Sequence, residues 1–246
     1  MADFAGIAAY YDRMTGYDNR LINDFGAIKF LVEKFSISSA LDAGCGTGVH
    51  SIILSKIGVD VVGLDASAEM IELARVNALK EGVEIAFENE FFESMPNAWT
   101  EKFDAVFCLA NSLVGVETAE RLALAMKSFQ RILRPGGVAI IQLLNFILFR
   151  HENRRIIKVS SHENFTFVRF FDFDEKVTRL NVLVIEHDMG TVRHQIISQP
   201  ILPVNMEVIQ LAAQIGGFRG VEYYSDLTLS EPFTDRDENM IVLLTC

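Results

Sequence analysis

The hydrophobic residues in the first part of the chain alternate between helical spacing and short strand-like runs. Residues 21–35 carry apolar side chains at helical intervals, and HSIILSKIG and SAEMIELARVNALKEG are helical in the same way. Strands are predicted between and after them, for VDVVGLD, VEIAFEN, FDAVFCLAN and GGVAIIQLLN; the first is a continuous apolar run typical of a buried parallel strand. Strands that alternate with helices predict βαβ units with right-handed crossovers, and therefore a doubly wound α/β fold.

Residues 150–200 change to an alternation of apolar and polar side chains, as in NFTFVRFFDFD and VTRLNVLVIEHD. Turns are expected at Asp174–Glu175 and at Met189–Gly190. Helical spacing returns at NMEVIQLAAQIGGF, and two more strands, VEYYSD and NMIVLLTC, follow it. We therefore expect an antiparallel β insertion over 150–200 that acts as a substrate lid, within an α/β domain formed by residues 1–149 and 201–246.

Composition and charge narrow the classes of partner. The chain has 246 residues, half of them hydrophobic, so it fits one large domain with a sizeable core. Its net charge of −11 argues against a nucleic-acid partner, since phosphate binding relies on clustered Lys and Arg. No basic leader or membrane-length apolar run is visible, so we expect a cytoplasmic protein acting on a small molecule, with a homo-oligomer left open. Three scattered cysteines predict neither a disulfide framework nor a metal site.

The stretch LDAGCGTG combines closely spaced glycines with an acid on each side. Gly44 and Gly46 let the backbone turn sharply and approach a ligand that Cβ atoms would push away. Asp65 ends the next strand, where a carboxylate can accept both hydroxyls of a ribose. Dinucleotide-binding folds share these two features, but their loop is G-x-G-x-x-G. Here the pattern is G-x-G-x-G behind Asp42, which favours a nucleoside whose tail carries an ammonium group.

Four segments together identify a family: LDAGCGTGVHSIIL, VVGLDASAEMIELA, FDAVFCLANSLVGV and ILRPGGVAII. With these the chain resembles class I S-adenosylmethionine-dependent methyltransferases, and among them the glycine N-methyltransferase group and its bacterial relatives. The resemblance covers about residues 20–149. It implies a mostly parallel, seven-stranded Rossmann-like sheet and S-adenosylmethionine as the cofactor, and it makes an NAD-dependent oxidoreductase a poor alternative.

The resemblance also assigns residues to the methyl donor. Asp65 corresponds to the ribose-binding acid, and Arg20 has the spacing of the arginine that binds the methionine carboxylate. Glu90 is expected to face the adenine amine, with Asn89 as its alternative, and Met70 to pack on the adenine ring. The complete set of expected donor-binding residues is Arg20, Asp42, Gly44, Cys45, Gly46, Asp65, Ala66, Met70, Glu90, Phe91 and Leu109.

Three residues are candidates for the acceptor side and the transfer itself. Asn111 follows the fourth strand and can orient an acceptor without itself titrating. Tyr11 lies on a segment that could cover the site and contact the donor. His194, like His187, lies in the predicted insertion, where a histidine could act as a general base.

One departure from the resembled family concerns the acceptor. Glycine-methylating relatives carry Arg-Asn-Tyr after the fifth strand, with the arginine on the amino-acid carboxylate; this chain has Leu144-Asn145-Phe146. Leucine cannot neutralise a buried carboxylate, and an unpaired buried charge is costly. We therefore expect either that the acceptor is not glycine or that its carboxylate is bound elsewhere, with Arg150, Arg169 or Arg193 as replacements.

The resemblance implies transfer by in-line displacement from the sulfonium, assisted mainly by holding the nucleophile close and aligned. The leading expectation is a small-molecule methyltransferase acting on nitrogen. An oxygen or carbon acceptor of larger, apolar character is an alternative, and so is a protein that binds the donor without independent activity. A hydroxyl acceptor would need a base, so a pH–rate profile separates the first two.

Overall fold

The computed structural model describes residues 6–174 and 177–246, and in them two β-sheets with flanking helices; Glu175 of the first expected turn lies outside these ranges. The helices are α1 (Ala8–Thr15), α2 (Tyr17–Asn23), α3 (Phe25–Lys34), α4 (Val49–Ile57), α5 (Ala68–Lys80), α6 (Ala119–Ile132), α7 (Phe146–His151) and α8 (Met206–Gly216). The strands are β1 (Ser39–Ala43), β2 (Asp60–Asp65), β3 (Ala86–Asn89), β4 (Phe103–Cys108), β5 (Leu133–Leu144), β6 (Ile156–His162), β7 (Phe165–Phe173), β8 (Thr178–Asp188), β9 (Thr191–Ile201), β10 (Gly220–Tyr224) and β11 (Asn239–Thr245).

The larger sheet has seven strands in the order β10-β11-β5-β4-β1-β2-β3. Strands β1 to β5 pair in parallel, whereas β11 runs antiparallel to both β5 and β10. The chain winds from β1 outward to β3 and then returns to β4 on the other side of β1. The carboxyl ends of β1 and β4 thus form the switch point, where open α/β sheets bind ligands. The predicted fold class is confirmed.

Alternate side chains of the central strands pack into two separate cores, which explains why these strands are almost wholly apolar. In β4, Val106 and Cys108 face helices α6 and α8, while Ala105 and Phe107 face α3, α4 and α5. All four are fully buried. The result is a helix–sheet–helix layering with the sheet shielded on both faces.

The smaller sheet is antiparallel, in the order β6-β7-β8-β9, and confirms the expected β insertion. Its inner face joins the main core through Phe171, whose ring centroid lies 4.9 Å from that of Phe146 and 5.4 Å from that of Phe149. Farther along, Phe167 packs with Met14 of α1 and Met70 of α5. The sheet therefore stands over the carboxyl ends of the main strands.

Two expected elements differ in detail. Residues 21–35 form the end of α2 and then α3 rather than one helix, and the apolar stripe is buried only from Ile28 onward: Ile22 is 74% exposed and Phe25 is 37% exposed. The strand expected for VEIAFEN is confined to β3. Among the described residues, none of the helices combines the length and the apolar character that a membrane crossing requires.

Candidate functional site

A cavity of about 550 Å³ lies at the carboxyl ends of β1, β2, β4 and β5, beneath the smaller sheet. Its main-sheet side comprises the glycine loop, the residues after β2 and those after β4. Its roof comes from β7, β8 and β9. The lining residues used below are Tyr11, Gly44, Gly46, Asp65, Ala66, Met70, Phe91, Phe92, Asn111, Gln142, Leu144, Ile157, Arg169, Leu180, Val182, Gln199, Ile201 and Asn239.

The glycine loop is held in shape by β2 and by the segment after β4. The amides of Gly44 and Cys45 both donate to the carbonyl of Leu64, at 2.7 and 3.0 Å. Gly44 has φ +74°, and a Cβ there would lie 2.5 Å from Cβ of Ser112. Gly46 has φ +55° and lies beneath the ring of Tyr11. Both glycines are thus required by conformation, and Gly44 also by packing.

Asp65, the last residue of β2, connects the glycine loop to the start of α5. Its Oδ2 accepts a hydrogen bond from the amide of Gly46, and its Oδ1 accepts one from the amide of Ser67, each at 2.9 Å. Burial raises the pKa of Asp65, and the two amide donors only partly offset that effect. The carboxylate lines the cavity with lone pairs left over, as an acceptor of ribose hydroxyls requires.

Asp42 and Arg20, both expected at the donor's amino-acid tail, do not line the cavity. Asp42 is 1% exposed and accepts a hydrogen bond from Oγ of Ser51 at 2.6 Å, beneath the glycine loop. Burial raises the pKa of Asp42 as well. Nη2 of Arg20 lies 3.2 Å from Nε2 of His50, and its Nε lies 3.7 Å from Oδ2 of Asp24. A direct role for either residue in donor binding stays a prediction.

At the expected adenine end, Ala66, Met70 and Phe91 line the cavity, and Phe92 joins them. Glu90 does not: its Oε1 accepts the amide of Phe91 at 2.8 Å. The alternative, Asn89, donates from Nδ2 to the carbonyl of Asp65 at 3.0 Å. Cys45 and Leu109 are buried outside the lining as well, 7% and 2% exposed. The side chains present at this end are therefore those of Met70 and the two phenylalanines.

At the expected acceptor end, Asn111 lies just after β4 in a left-handed conformation, with φ +66°. Its Oδ1 accepts the amide of Leu144 at 3.0 Å, and Oε1 of Gln142 accepts the amide of Ala110 at 3.1 Å. These bonds fix two amide side chains at the ends of β4 and β5. Gln142 was not predicted, although it is the one polar residue that interrupts the apolar run VAIIQLL in β5.

Tyr11 reaches the cavity because hydrogen bonds attach α1 to the glycine loop and to α5. Oδ1 of Asp12 accepts a hydrogen bond from Oγ1 of Thr47 at 2.5 Å, and Oδ2 accepts one from Nδ2 of Asn77 at 2.9 Å. Oγ of Ser160 in β6 donates to the carbonyl of Met14 at 3.1 Å. Helix α1 thereby bridges the glycine loop, α5 and the smaller sheet.

The two histidines of the smaller sheet that were candidates for a base lie outside the cavity lining. His194 pairs with Ile185 across β8 and β9 and is exposed, because strand alternation puts it on the face opposite Gln199 and Ile201, which line the cavity. His187 is exposed too. A base role for His194 therefore finds no support in this arrangement. Of the three candidate arginines, Arg169 lines the cavity, whereas Arg150 and Arg193 are exposed.

In a comparison with known proteins, residues 40–137 match the family described as methyltransferase domain. The chain is 31% identical over 107 residues to a ubiquinone biosynthesis O-methyltransferase of Serratia proteamaculans (strain 568), covering 44% of this chain and 43% of that one. It is 27% identical over 147 residues to a glycine/sarcosine N-methyltransferase of Aphanothece halophytica, covering 60% and 56%. The chain thus spans about half the length of these curated relatives.

Among solved structures, an S-adenosylmethionine-dependent methyltransferase from Clostridium acetobutylicum ATCC 824 superposes with a TM-score of 0.77 at 17% identity, covering 97% of each chain. At this identity the superposition shows a shared fold and no more. The family resemblance read from the four sequence segments is confirmed over residues 40–137.

Proposed function

Because residues 40–137 match the family described as methyltransferase domain, we propose that the protein is an enzyme that transfers the methyl group of S-adenosylmethionine to a nitrogen atom of a small molecule. The observation that carries this proposal is the shape of one cavity. It joins a nucleoside-type half, built from the glycine loop and Asp65, to an amide-lined half at the ends of β4 and β5. A methyl donor in the first half faces an acceptor in the second.

The donor half fits S-adenosylmethionine residue by residue. Asp65 accepts the ribose hydroxyls, and the backbone at Gly44 and Gly46 leaves room where a Cβ would intrude. Met70 and Phe91 supply apolar contacts to adenine, and Tyr11 covers the loop from above. The donor supplies an electrophilic methyl group on a sulfonium, so the protein's task is to hold both reactants in line and to keep water out.

The acceptor half favours nitrogen because its polar side chains at the ends of β4 and β5 are amides. Asn111 and Gln142 present carbonyl oxygens and NH₂ groups that orient an amine by hydrogen bonds. A neutral amine attacks through its lone pair and needs only to lose a proton, so orientation by uncharged groups suffices. The glycine/sarcosine N-methyltransferase among the relatives is consistent with this target.

A second candidate is transfer to a hydroxyl of a larger apolar molecule. The observation in its favour is the aliphatic side of the cavity, formed by Leu144, Ile157, Leu180, Val182 and Ile201. An O-methyltransferase of ubiquinone biosynthesis is also among the relatives. A base-assisted acceptor would show a base titration in its pH–rate profile.

Asn111→Ala tests whether the cavity has separate donor and acceptor halves, with Asn111 in the acceptor half. We expect turnover of an amine acceptor to fall about 10- to 100-fold, the cost of one or two orienting hydrogen bonds, with donor affinity unchanged. Transfer of radiolabelled methyl to a panel of amines and matched alcohols measures it, with the exposed Asn97→Ala as control. Donor binding with no turnover on any acceptor would contradict the enzyme assignment, and turnover only on alcohols would contradict nitrogen.

A further inference from the structure

Strand β7 carries aromatic side chains at alternate positions of its inner face, with one exception. Phe165, Phe167, Phe171 and Phe173 occupy four of the five inner positions, and Arg169 occupies the middle one. Phe167 and Phe171 are fully buried. A cation at the centre of an aromatic stripe opposes the packing of that stripe, so its position calls for a compensating anion.

The side chain of Arg169 lacks such a compensation from the protein. Its Nε is buried and has no hydrogen-bond partner among the described residues. Burial lowers the pKa of its guanidinium, and the ionisable groups that act on it are Tyr11 and Arg20, of which the second is another cation. Arg169 as a whole is half-buried, and a guanidinium that lines a cavity with a buried, unpartnered Nε is ready to bind an anion.

The guanidinium also belongs to the roof of the cavity. Arg169 pairs with Val182, and the same face of the smaller sheet presents Leu180 and Ile201 to the cavity. The side chains nearest to the glycine loop are instead Tyr11 over Gly46, and Ser112 with Phe92 beside Gly44. Arg169 therefore lies in the roof beside apolar side chains of β8 and β9, on a face that also carries Gln199, and near enough to Tyr11 for that phenol to act on its guanidinium.

Leu144, at the end of β5, lines the same cavity and leaves that position without charge. The two other candidate arginines, Arg150 and Arg193, are exposed and do not line it. Arg169 is thus the candidate replacement that the fold brings to the acceptor's cavity.

We propose that the methyl acceptor is an organic acid whose carboxylate is bound by Arg169 and whose apolar body lies against Leu180, Val182 and Ile201. This rests on the proposed function and names its substrate class: an amine that also carries a carboxylate and an apolar group. Arg169 binds the acceptor at a distance from the reacting nitrogen, which stays near Asn111. It therefore sets specificity by excluding acceptors that lack the acid.

The test uses phenylacetate as probe and phenylacetamide as its uncharged match, titrated by calorimetry into protein saturated with S-adenosylhomocysteine. Phenylacetate is expected to bind the wild type and to bind Arg169→Gln about 10- to 100-fold more weakly, while the exposed control Arg193→Gln behaves as wild type. Phenylacetamide is expected to bind all three proteins weakly and alike. The affinity for S-adenosylhomocysteine itself is expected to be the same in all three.

A second readout is independent of the probe. Removing a half-buried charge that the protein does not compensate is expected to leave Arg169→Gln folded, with a Tm at or above that of the wild type in the absence of ligand. A clearly lower Tm would mean that the protein itself compensates the charge, which overturns the proposal.

The remaining outcomes separate the two proposals. Phenylacetate that fails to bind the saturated protein, or that binds Arg169→Gln as well as wild type, overturns the carboxylate site. In a further outcome, phenylacetate competes with S-adenosylhomocysteine while Arg169→Gln binds the donor more weakly. That result would assign Arg169 to the carboxylate of the donor and would also overturn the proposed acceptor site. Absence of S-adenosylhomocysteine binding to the wild type defeats the proposed function, and the acceptor site with it.

Discussion

At the scale of single residues, the site depends on backbone positions that only glycine satisfies. Gly44 combines a positive φ with a Cβ position 2.5 Å from Cβ of Ser112, so a side chain there meets both a conformational and a steric penalty. Gly82 has a similar φ of +70°, and a Cβ there would have no described atom within 4 Å. Comparing alanine variants at Gly82 and Gly44 therefore separates the conformational penalty, which both positions have, from the steric penalty, which only Gly44 has.

We expect Gly44→Ala to lower the free energy of unfolding by about 2 to 4 kcal/mol and to abolish donor binding, because the loop must shift away from Ser112. Gly82→Ala is expected to cost about 1 to 2 kcal/mol and to leave donor affinity unchanged. Urea denaturation and calorimetry measure the two effects. Equal losses of stability in both variants, with donor binding intact, would show that the contact with Ser112 has no influence.

The residues that could be predicted from the sequence were those whose role follows from local chain geometry. The glycines and Asp65 lie at strand ends that the apolar runs reveal, so their place in the cavity followed from the order of the elements. Gln142, Asn239 and Asp12 could not be found in this way, because their partners lie on elements far along the chain. Whether His194 lines the cavity could not be predicted, because strand alternation shows which residues share a face of the insertion but not which face points inward.

At the scale of elements, Asp104 of β4 links β4 to the start of β1 at the amino end of the main sheet, on the side opposite the cavity. Its Oδ2 accepts hydrogen bonds from the amides and hydroxyls of Ser38 and Ser39, at 2.6 to 3.0 Å. Its Oδ1 accepts one from Nη1 of Arg134 at 2.6 Å. Burial alone would raise the pKa of Asp104, but these donors outweigh it and hold the pKa well below its usual range.

A carboxyl whose pKa is lowered by folding stabilises the protein above its unfolded pKa and loses that contribution as the pH falls below it. We expect Asp104→Asn to lower the free energy of unfolding by about 2 kcal/mol at pH 7. The difference from wild type should shrink as the pH falls below about 4, the ordinary pKa of aspartate. Urea denaturation between pH 3 and pH 7 measures it, with the exposed Asp60→Asn as control. A difference that stays constant over this range would contradict the assignment.

Element types followed from periodicity, but the division of residues 21–35 did not. Apolar spacing is the same whether one helix or two carry it. The boundary residue, Asp24, has helical dihedral angles, and its Oδ2 lies 3.1 Å from Nε2 of His50, a contact that spacing does not reveal. The smaller sheet was predicted as an antiparallel insertion because alternation is clear in NFTFVRFFDFD and VTRLNVLVIEHD. Their packing on the main core was not, since it relies on distant aromatic contacts.

At the scale of the whole molecule, the cavity exists because the smaller sheet is fixed on the carboxyl ends of the main strands. Phe171 is fully buried between Phe146 and Phe149, and it is the point where β7 joins the main core. Helix α1 adds a second attachment through Asp12. The two sheets are therefore expected to unfold as one cooperative unit.

We expect Phe171→Ala to lower the free energy of unfolding by about 3 to 5 kcal/mol, the usual cost of a cavity of this size, while a single transition is retained. Phe25→Ala, at a position 37% exposed, is the control and is expected to cost well under half as much. Urea denaturation followed by fluorescence and by circular dichroism measures both. Two separate transitions, only one of them shifted, would show that the sheets unfold independently.

The central claim is that the glycine loop and Asp65 hold a methyl donor, and calorimetric titration tests it most directly. S-adenosylmethionine and S-adenosylhomocysteine are titrated into wild type and into Asp65→Ala, with NAD as the competing ligand class. We predict micromolar binding of both donor forms, weakened about 10- to 100-fold in the variant, and no binding of NAD. Binding of NAD alone, or donor binding that Asp65→Ala leaves unchanged, would contradict the account.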